Sequence, residues 1–301
     1  MRICVIGLGL IGASFAGALA QADEAHHIIG YDARADVTQA MRRDGFIHQI
    51  APNIAEAVLD ADLVILAIYI QGILDMLPQI APHLKQGALV MDVGSTKAQI
   101  VEAMNTLPSH VQAVGGHPMT GRMTQQVEHA SAALFKGCTF VLTPTEHTSQ
   151  ATQATITQLV EQIGARPLWM DAHIHDHYVA MISHLSRLLP IAVMAAVQAQ
   201  DSDLLWQLAA GSFRETTRLG NQPLGFWRDV FATNTTGIPA SLRDVAQQLE
   251  RLAQAIENSD LALVETLSEE AASHWQRLYG DQDREQTGNH DKDVKNGERK
   301  P

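Results

Sequence analysis

The chain of 301 residues is long enough for about two domains, and with 46% hydrophobic and 18% charged residues it is composed as a globular protein rather than a disordered one. Lys and Arg number 21 against 33 Asp and Glu, a formal net charge of −12, which argues against a generic nucleic-acid binder or a protein docked on an anionic membrane surface. Two cysteines, Cys4 and Cys138, exclude a disulfide framework and fit a reducing cytoplasm, and no stretch reaches the roughly 20 apolar residues of a bilayer span, so no membrane association is expected.

Met1-Arg2-Ile3-Cys4-Val5-Ile6 places a charge before an apolar run, but the glycines that follow come too soon for a secretory leader, and the segment reads as a first strand. Further short apolar or β-branched runs at 27–31, 63–67, 88–92, 111–115 and 139–142 alternate with helical spacing, as in Ile73, Met76, Leu77 and Ile80. Continuous apolar strands separated by helices predict a mainly parallel sheet covered on both faces. From Asp171 to about Tyr279 only helical patterns occur, and 185–197 is apolar nearly all round, as suits a helix buried in a bundle or at a subunit contact. Residues 281–301 hold no large apolar side chain except Val294, and their charges nearly cancel, so a disordered tail is expected. The division predicted is therefore 1–169 (α/β), 170–280 (all-α) and 281–301 (tail).

Gly7-x-Gly9-x-x-Gly12 follows the first strand and opens a helical pattern. In that setting Gly7 serves the tight turn, Gly9 the approach of a pyrophosphate and Gly12 the helix–strand contact, while the helix N-terminus offers free N–H groups. The whole turn, Gly7, Leu8, Gly9, Leu10, Ile11 and Gly12, is the predicted dinucleotide site of a Rossmann-type domain. Asp32 ends the next strand 20 residues past Gly12. Its carboxylate suits a ribose 2′ hydroxyl and repels a 2′ phosphate, which favours NAD over NADP, though Arg34 close by tempers the preference.

Two later strand ends carry chemistry. Asp92-Val93-Gly94-Ser95-Thr96-Lys97 follows the 88–91 run, and Gly115-Gly116-His117-Pro118-Met119-Thr120-Gly121 follows 111–114. A histidine between a glycine pair and a proline is expected on a tightly specified loop at the carboxyl edge of the sheet, where its ordinary pKa near 6.5 suits acid–base work on a substrate hydroxyl. Ser95 is placed to hydrogen-bond that hydroxyl or a nicotinamide carboxamide.

These segments together resemble the prephenate/arogenate dehydrogenase family of tyrosine biosynthesis. The likeness continues in order through Ser183-His184-Leu185, Gly211-Ser212-Phe213-Arg214-Glu215-Thr216-Thr217-Arg218, Asn221-Gln222-Pro223 and Trp227-Arg228-Asp229, spanning roughly residues 1–280. The resemblance implies a Rossmann domain followed by an all-α dimerisation domain of the 6-phosphogluconate-dehydrogenase-like kind. It implies NAD-dependent oxidative decarboxylation of prephenate to 4-hydroxyphenylpyruvate, or of arogenate to tyrosine, by a homodimer. It makes His117 the proton acceptor at the ring hydroxyl, Ser95 its helper and Arg218 the ligand of a substrate carboxylate. It also places Asp176 and His184 at the pocket.

Three segments depart from the family pattern. Thr120-Gly121-Arg122-Met123 replaces the usual Ala-Gly followed by Thr or Ser and then Glu, Ile68-Tyr69 replaces a Thr-Pro, and Leu185-Ser186-Arg187 replaces a Leu-Pro and a frequent later His. Arg122 and Arg187 would add positive charge and favour prephenate, with its two carboxylates, over arogenate, with its amino group. His173 and His177 share an i, i+4 face, but no HExxH or cysteine cluster accompanies them, and the resemblance implies no metal. Neither a regulatory domain nor a fused mutase is expected within this length. A β-hydroxyacid dehydrogenase would use a lysine on the helical domain, yet none lies between Lys136 and Lys292. A non-catalytic NAD sensor would have no use for His117, Ser95 and Arg218 together.

Overall fold

β1 (Arg2–Ile6) sends Ile3 and Val5 into one apolar cluster and Cys4 and Ile6 into another, and all four are buried. Strands β4 (Leu63–Leu66) and β5 (Leu89–Asp92) divide their side chains in the same alternating way. Burial on both faces requires a layer of helices on each side of the sheet. A computed structural model of the chain shows that arrangement; it describes residues 1–120, 127–221 and 224–297, with 281–297 described as backbone.

Among the described residues eight strands form one sheet in the order β3-β2-β1-β4-β5-β6-β7-β8, the others being β2 (His27–Tyr31), β3 (Gln49–Ile50), β6 (Gln112–Pro118), β7 (Thr139–Pro144) and β8 (Arg166–Trp169). All neighbouring pairs are parallel except β6 with β7. The helices among them are α1 (Leu10–Ala22), α2 (Ala35–Arg43), α3 (Ile54–Val58), α4 (Ile70–Ile80), α5 (Ala98–Met104) and α6 (Gln150–Gln162). Phe15 of α1 meets Phe135 and Phe140 at centroid distances of 5.4 and 5.7 Å, anchoring one helical layer. Strand order reverses at β1 and β4, and in open sheets of this kind ligands bind in the crevice at the carboxyl ends of such strands.

Two strands are absent from the sequence reading. β3 has only two residues, and β8 contains Pro167, which an edge strand tolerates because one side of its backbone has no partner. The reading of 115–121 as a loop is corrected at 115–118: β6 continues through His117 to Pro118, because β7 runs antiparallel along it with His117 opposite Val141, while residue 121 lies outside the described residues. Gly115 and Gly116 serve close approach rather than a turn. A Cβ on Gly115 would overlap the Thr143 hydroxyl, and one on Gly116 would lie 2.5 Å from the Asp92 carbonyl oxygen.

After β8 the described chain is helical: α7 (Ala172–Val179), a π turn (Ala180–His184), α8 (Leu185–Gln198), α9 (Asp203–Gln207), α10 (Gly211–Thr217), α11 (Trp227–Thr233), α12 (Gly237–Glu257) and α13 (Leu261–Gly297). The change from strand to helix falls at Trp169–Ala172, near the predicted boundary. Compactness divides the chain elsewhere, into Met1–Ser241 and Leu242–Pro301. The reason is that α7 and α11 are bonded to the α/β layers: Asp176 takes two N–H groups at the start of α5, and Asp229 takes the N–H of Gln71 at 3.1 Å.

Two further expectations change. Within the continuous helical run Ala172–Gln198 an 18-residue window has a mean hydropathy of 1.6, and the run is long and apolar enough, by length and composition, to cross a membrane. Counting unbroken apolar residues missed it because His175, Asp176, His184 and Arg187 interrupt the run; these four are buried, and His175 and Asp176 bond to groups of β6 and α5. The segment expected as a disordered tail continues the backbone of α13 to Gly297. Extending a helix that is already nucleated requires no core of its own.

Candidate active site

The first half of the site is built by backbone. Gly7 sits at φ +91°, a left-handed conformation that favours glycine, and a Cβ there would come within 2.5 Å of the Ala67 carbonyl oxygen across the strand-order switch. A side chain on Gly12 would overlap the Gly7 carbonyl, so helix and strand touch there. Gly9 differs, since a Cβ on it would meet nothing within 4 Å. Gly9 is also the N-cap of the 13-residue α1 and makes no side-chain cap, which leaves first-turn N–H groups facing open space. Asp32 lies at the rim and accepts hydrogen bonds from Leu8 N–H (2.8 Å) and Arg34 N–H (2.9 Å), and the Arg34 guanidinium is paired with it at 3.4 Å. An open space bounded by backbone donors and a carboxylate fits a dinucleotide.

A cavity of about 900 Å³ runs from this turn past Ile68 and Tyr69 to Ser95, His117, His184 and Trp227. Ser95 is positioned by a buried ion pair. The Lys97 ammonium bonds the Asp92 carboxylate, and that carboxylate also accepts from Gly94 N–H (2.7 Å) and Gly116 N–H (3.1 Å). The Ser95 loop and the His117 strand are thereby tied to one group. Burial draws the Lys97 ammonium pKa down, against the attraction of Asp92 and then Asp176.

His117 lines the cavity wall and faces α7 with its Nδ1, 2.9 Å from His175 Nε2. Burial first, then His175, Lys97 and His184, hold the His117 imidazole well below its usual 6.5. It is therefore neutral, with a basic nitrogen, at neutral pH. The π turn brings Ser183 and His184 to the cavity, where His184 meets Trp227 edge-on at 6.0 Å and has its Nδ1 3.4 Å from the Asn234 side-chain amide. Burial pushes His184 down to about 4, with Asp176 pulling it upward and His175 downward.

The other expected site residues stand elsewhere. Asp176 is buried beneath the cavity wall and lines no part of the cavity; its carboxylate accepts from Lys97 N–H (2.7 Å), Ala98 N–H (2.9 Å) and His175 Nδ1–H (2.8 Å). Arg187 is buried and donates to the Leu219 carbonyl rather than lining the cavity, because α8 and the 218–221 turn close over it. Arg218 is half exposed, 3.5 Å from Glu215 one turn back, and also lies outside the lining. Arg122 falls outside the described residues. Sequence reasoning missed His175, whose spacing was the available signal: Ala172, His175, Asp176 and Val179 form the buried face of α7, a core stripe that carries two polar residues.

The fold and this site together define a dinucleotide-binding oxidoreductase with a helical second half. A family model described as "Prephenate dehydrogenase, nucleotide-binding domain" matches residues 15–168, and one described as "Prephenate dehydrogenase, dimerization domain" matches residues 171–269. The chain is 32% identical to a prephenate dehydrogenase of Lactococcus lactis, covering 89% of this chain and 75% of that one. It is 30% identical to a cyclohexadienyl dehydrogenase of Zymomonas mobilis, with 86% and 89% covered. Among solved structures it resembles Synechocystis arogenate dehydrogenase (TM-score 0.81, 31% identity, 94% of this chain and 99% of that one). The fold also matches prephenate dehydrogenase from A. aeolicus, solved with hydroxyphenyl propionate and NAD+ (TM-score 0.82, 24% identity, 92% and 98% covered). The chain belongs to the prephenate dehydrogenase family.

Proposed function

We propose that this chain catalyses the NAD-dependent oxidative decarboxylation of prephenate to 4-hydroxyphenylpyruvate. The observation that carries the reading is His117: a neutral imidazole in the wall of a cavity that begins at the glycine turn, with one ring nitrogen engaged behind it and the other left for a substrate hydroxyl. NAD+ held by the 7–12 turn and Asp32 supplies a two-electron acceptor. His117 takes the hydroxyl proton as the C–O bond gains carbonyl character, and Ser95 orients that hydroxyl. Loss of CO₂ restores an aromatic ring, so the protein's task is orientation and proton removal. His184 and Trp227 form the far wall against the ring.

The active form we propose is a homodimer through the helical half. Ile174, Tyr178, Ile182 and Met194 along α7, the π turn and α8 are more than a third exposed in the single chain, an apolar face suited to a second copy. Arg218 would then reach a substrate carboxylate from the second protomer, since it stands outside the cavity of its own chain. Both cysteines are free, which supports a cytoplasmic setting.

Arogenate is the second reading, supported by the 31% identity to the Synechocystis enzyme. Arg187, held by the Leu219 carbonyl, gives no support to a charge-based preference for prephenate. The test is NADH formation on mixing the protein with NAD+ and either prephenate or arogenate. Prephenate is expected to be turned over with the higher kcat/KM, and His117→Asn to reduce kcat roughly a hundredfold or more while NAD+ still binds. Higher kcat/KM on arogenate would replace the substrate assignment, and no turnover of either would overturn the reading.

A further inference from the structure

We propose that His175 and Asp176 act as positioning residues that fix the tautomer of His117, so that Nε2 presents its lone pair to the cavity. The inference rests on the reading of His117 as the base and adds how that base is made ready. Three elements meet at this point: β6 carries His117, α7 carries His175 and Asp176, and the start of α5 supplies Lys97 and Ala98.

The direction of each hydrogen bond follows from the one group whose role is fixed. An ionised carboxylate only accepts, and Asp176 accepts two backbone N–H groups, which set its plane. Its third partner is His175 Nδ1 at 2.8 Å, so that nitrogen carries a proton. In the neutral ring His175 Nε2 is then an acceptor, and the atom it faces at 2.9 Å, His117 Nδ1, must donate. The remaining nitrogen of His117, Nε2, holds a lone pair. The opposite tautomer would place a hydrogen where the substrate proton has to go. The rings stand nearly perpendicular, with centroids 5.1 Å apart and planes at 76°, so one in-plane N–H points at the edge of its neighbour and rotation of His117 would break the bond. When Nε2 takes up the proton, the charge on His117 is stabilised through His175 by Asp176, and neither bond in the chain has to break.

The geometry is over-determined from behind. α7 begins at Asp171, whose carboxylate caps the N–H groups of His173 and Ile174, and Asn234 donates to the Asp176 carbonyl at 2.7 Å. Through His175 these contacts reach the cavity at His117. Asp176 lines none of the cavity and His175 is buried, so neither touches substrate.

Two substitutions separate positioning from bulk structure. His175→Leu removes the acceptor, whereas His175→Gln keeps an amide donor for Asp176 and a carbonyl acceptor for His117 Nδ1. Ring-nitrogen NMR of the full-length protein should show His117 protonated at Nδ1 in the wild type and in His175→Gln, and shifted toward Nε2–H in His175→Leu. In prephenate turnover, His175→Leu should lose on the order of a hundredfold in kcat with little change in the KM for NAD+, and His175→Gln should stay within about tenfold of wild type. A wild-type His117 protonated at Nε2 would overturn the proposal, as would a folded His175→Leu that keeps both tautomer and kcat. If His175→Leu does not fold, the wild-type tautomer and the His175→Gln values still decide. If the tautomers behave as stated but neither prephenate nor arogenate is oxidised, the functional reading fails and the positioning role stands.

Discussion

Asp92 and Lys97 form an ion pair in which neither side chain has any exposure to solvent. Asp92 ends β5, Lys97 stands at the N-cap of α5, and the carboxylate between them also holds the N–H groups of Gly94 and Gly116. One buried charge thus spaces the Ser95 loop from the His117 strand. The two candidate catalytic side chains keep their separation through this group rather than through contact with each other.

Removing one member of such a pair leaves the other charge buried without a partner. Lys97→Met is therefore expected to lower unfolding stability by about 3–5 kcal/mol, and the double variant Asp92→Asn/Lys97→Met by clearly less. Lys97 also helps hold His117 in its neutral form, so where the single variant still folds, the acid limb of its kcat–pH profile should move to higher pH. Urea unfolding of wild type and the two variants checks the first point. Equal losses in the single and double variants would show that the pair is not what stabilises this corner.

Asp32 sits at the rim with its carboxylate bonded to Leu8 N–H and Arg34. Asp32→Ser removes an acceptor for a ribose hydroxyl and releases Arg34 toward a 2′ phosphate. The ratio of kcat/KM for NAD+ over NADP+ should fall roughly 10- to 100-fold, the range for loss of a charge-assisted hydrogen bond. An unchanged ratio in steady-state kinetics with both cofactors would remove Asp32 from the specificity determinants.

His184 gives a pH dependence of stability whose sign follows from burial. Its folded pKa of about 4 lies below the ordinary 6.5, so the unfolded chain binds the proton more readily. The contribution is present in full above pH 6.5, declines as pH falls, and is lost below about 4; it amounts to about 3 kcal/mol. His184→Gln should flatten the fall in urea midpoint between pH 7 and pH 4 relative to wild type. Parallel curves for the two proteins would mean that His184 is not held neutral. Activity should hold to pH values well under 6.5, because His117 is displaced in the same direction.

The sequence by itself determined the parts that depend on local pattern. Two-sided apolar strands gave the covered sheet, and the glycine spacing located the turn where Gly7 has a positive φ, Gly12 abuts the Gly7 carbonyl and Gly9 borders open space. The ordered motifs, from Val5-Ile6-Gly7 to Trp227-Arg228-Asp229, identified the family. What the tertiary structure alone decided concerns polar residues whose partners lie far along the chain. His117 turned out to be a strand residue because β7 pairs with its strand, and no local signal announces an antiparallel partner that begins 22 residues later. Asp176 changed from pocket residue to buried anchor, Arg187 went to a backbone carbonyl, and His175 emerged as the neighbour of His117 across 58 positions. Apolar periodicity reports which face is buried, because hydrophobic burial has no direction. A hydrogen bond has direction, and its partner is set by how strand and helix come together in space.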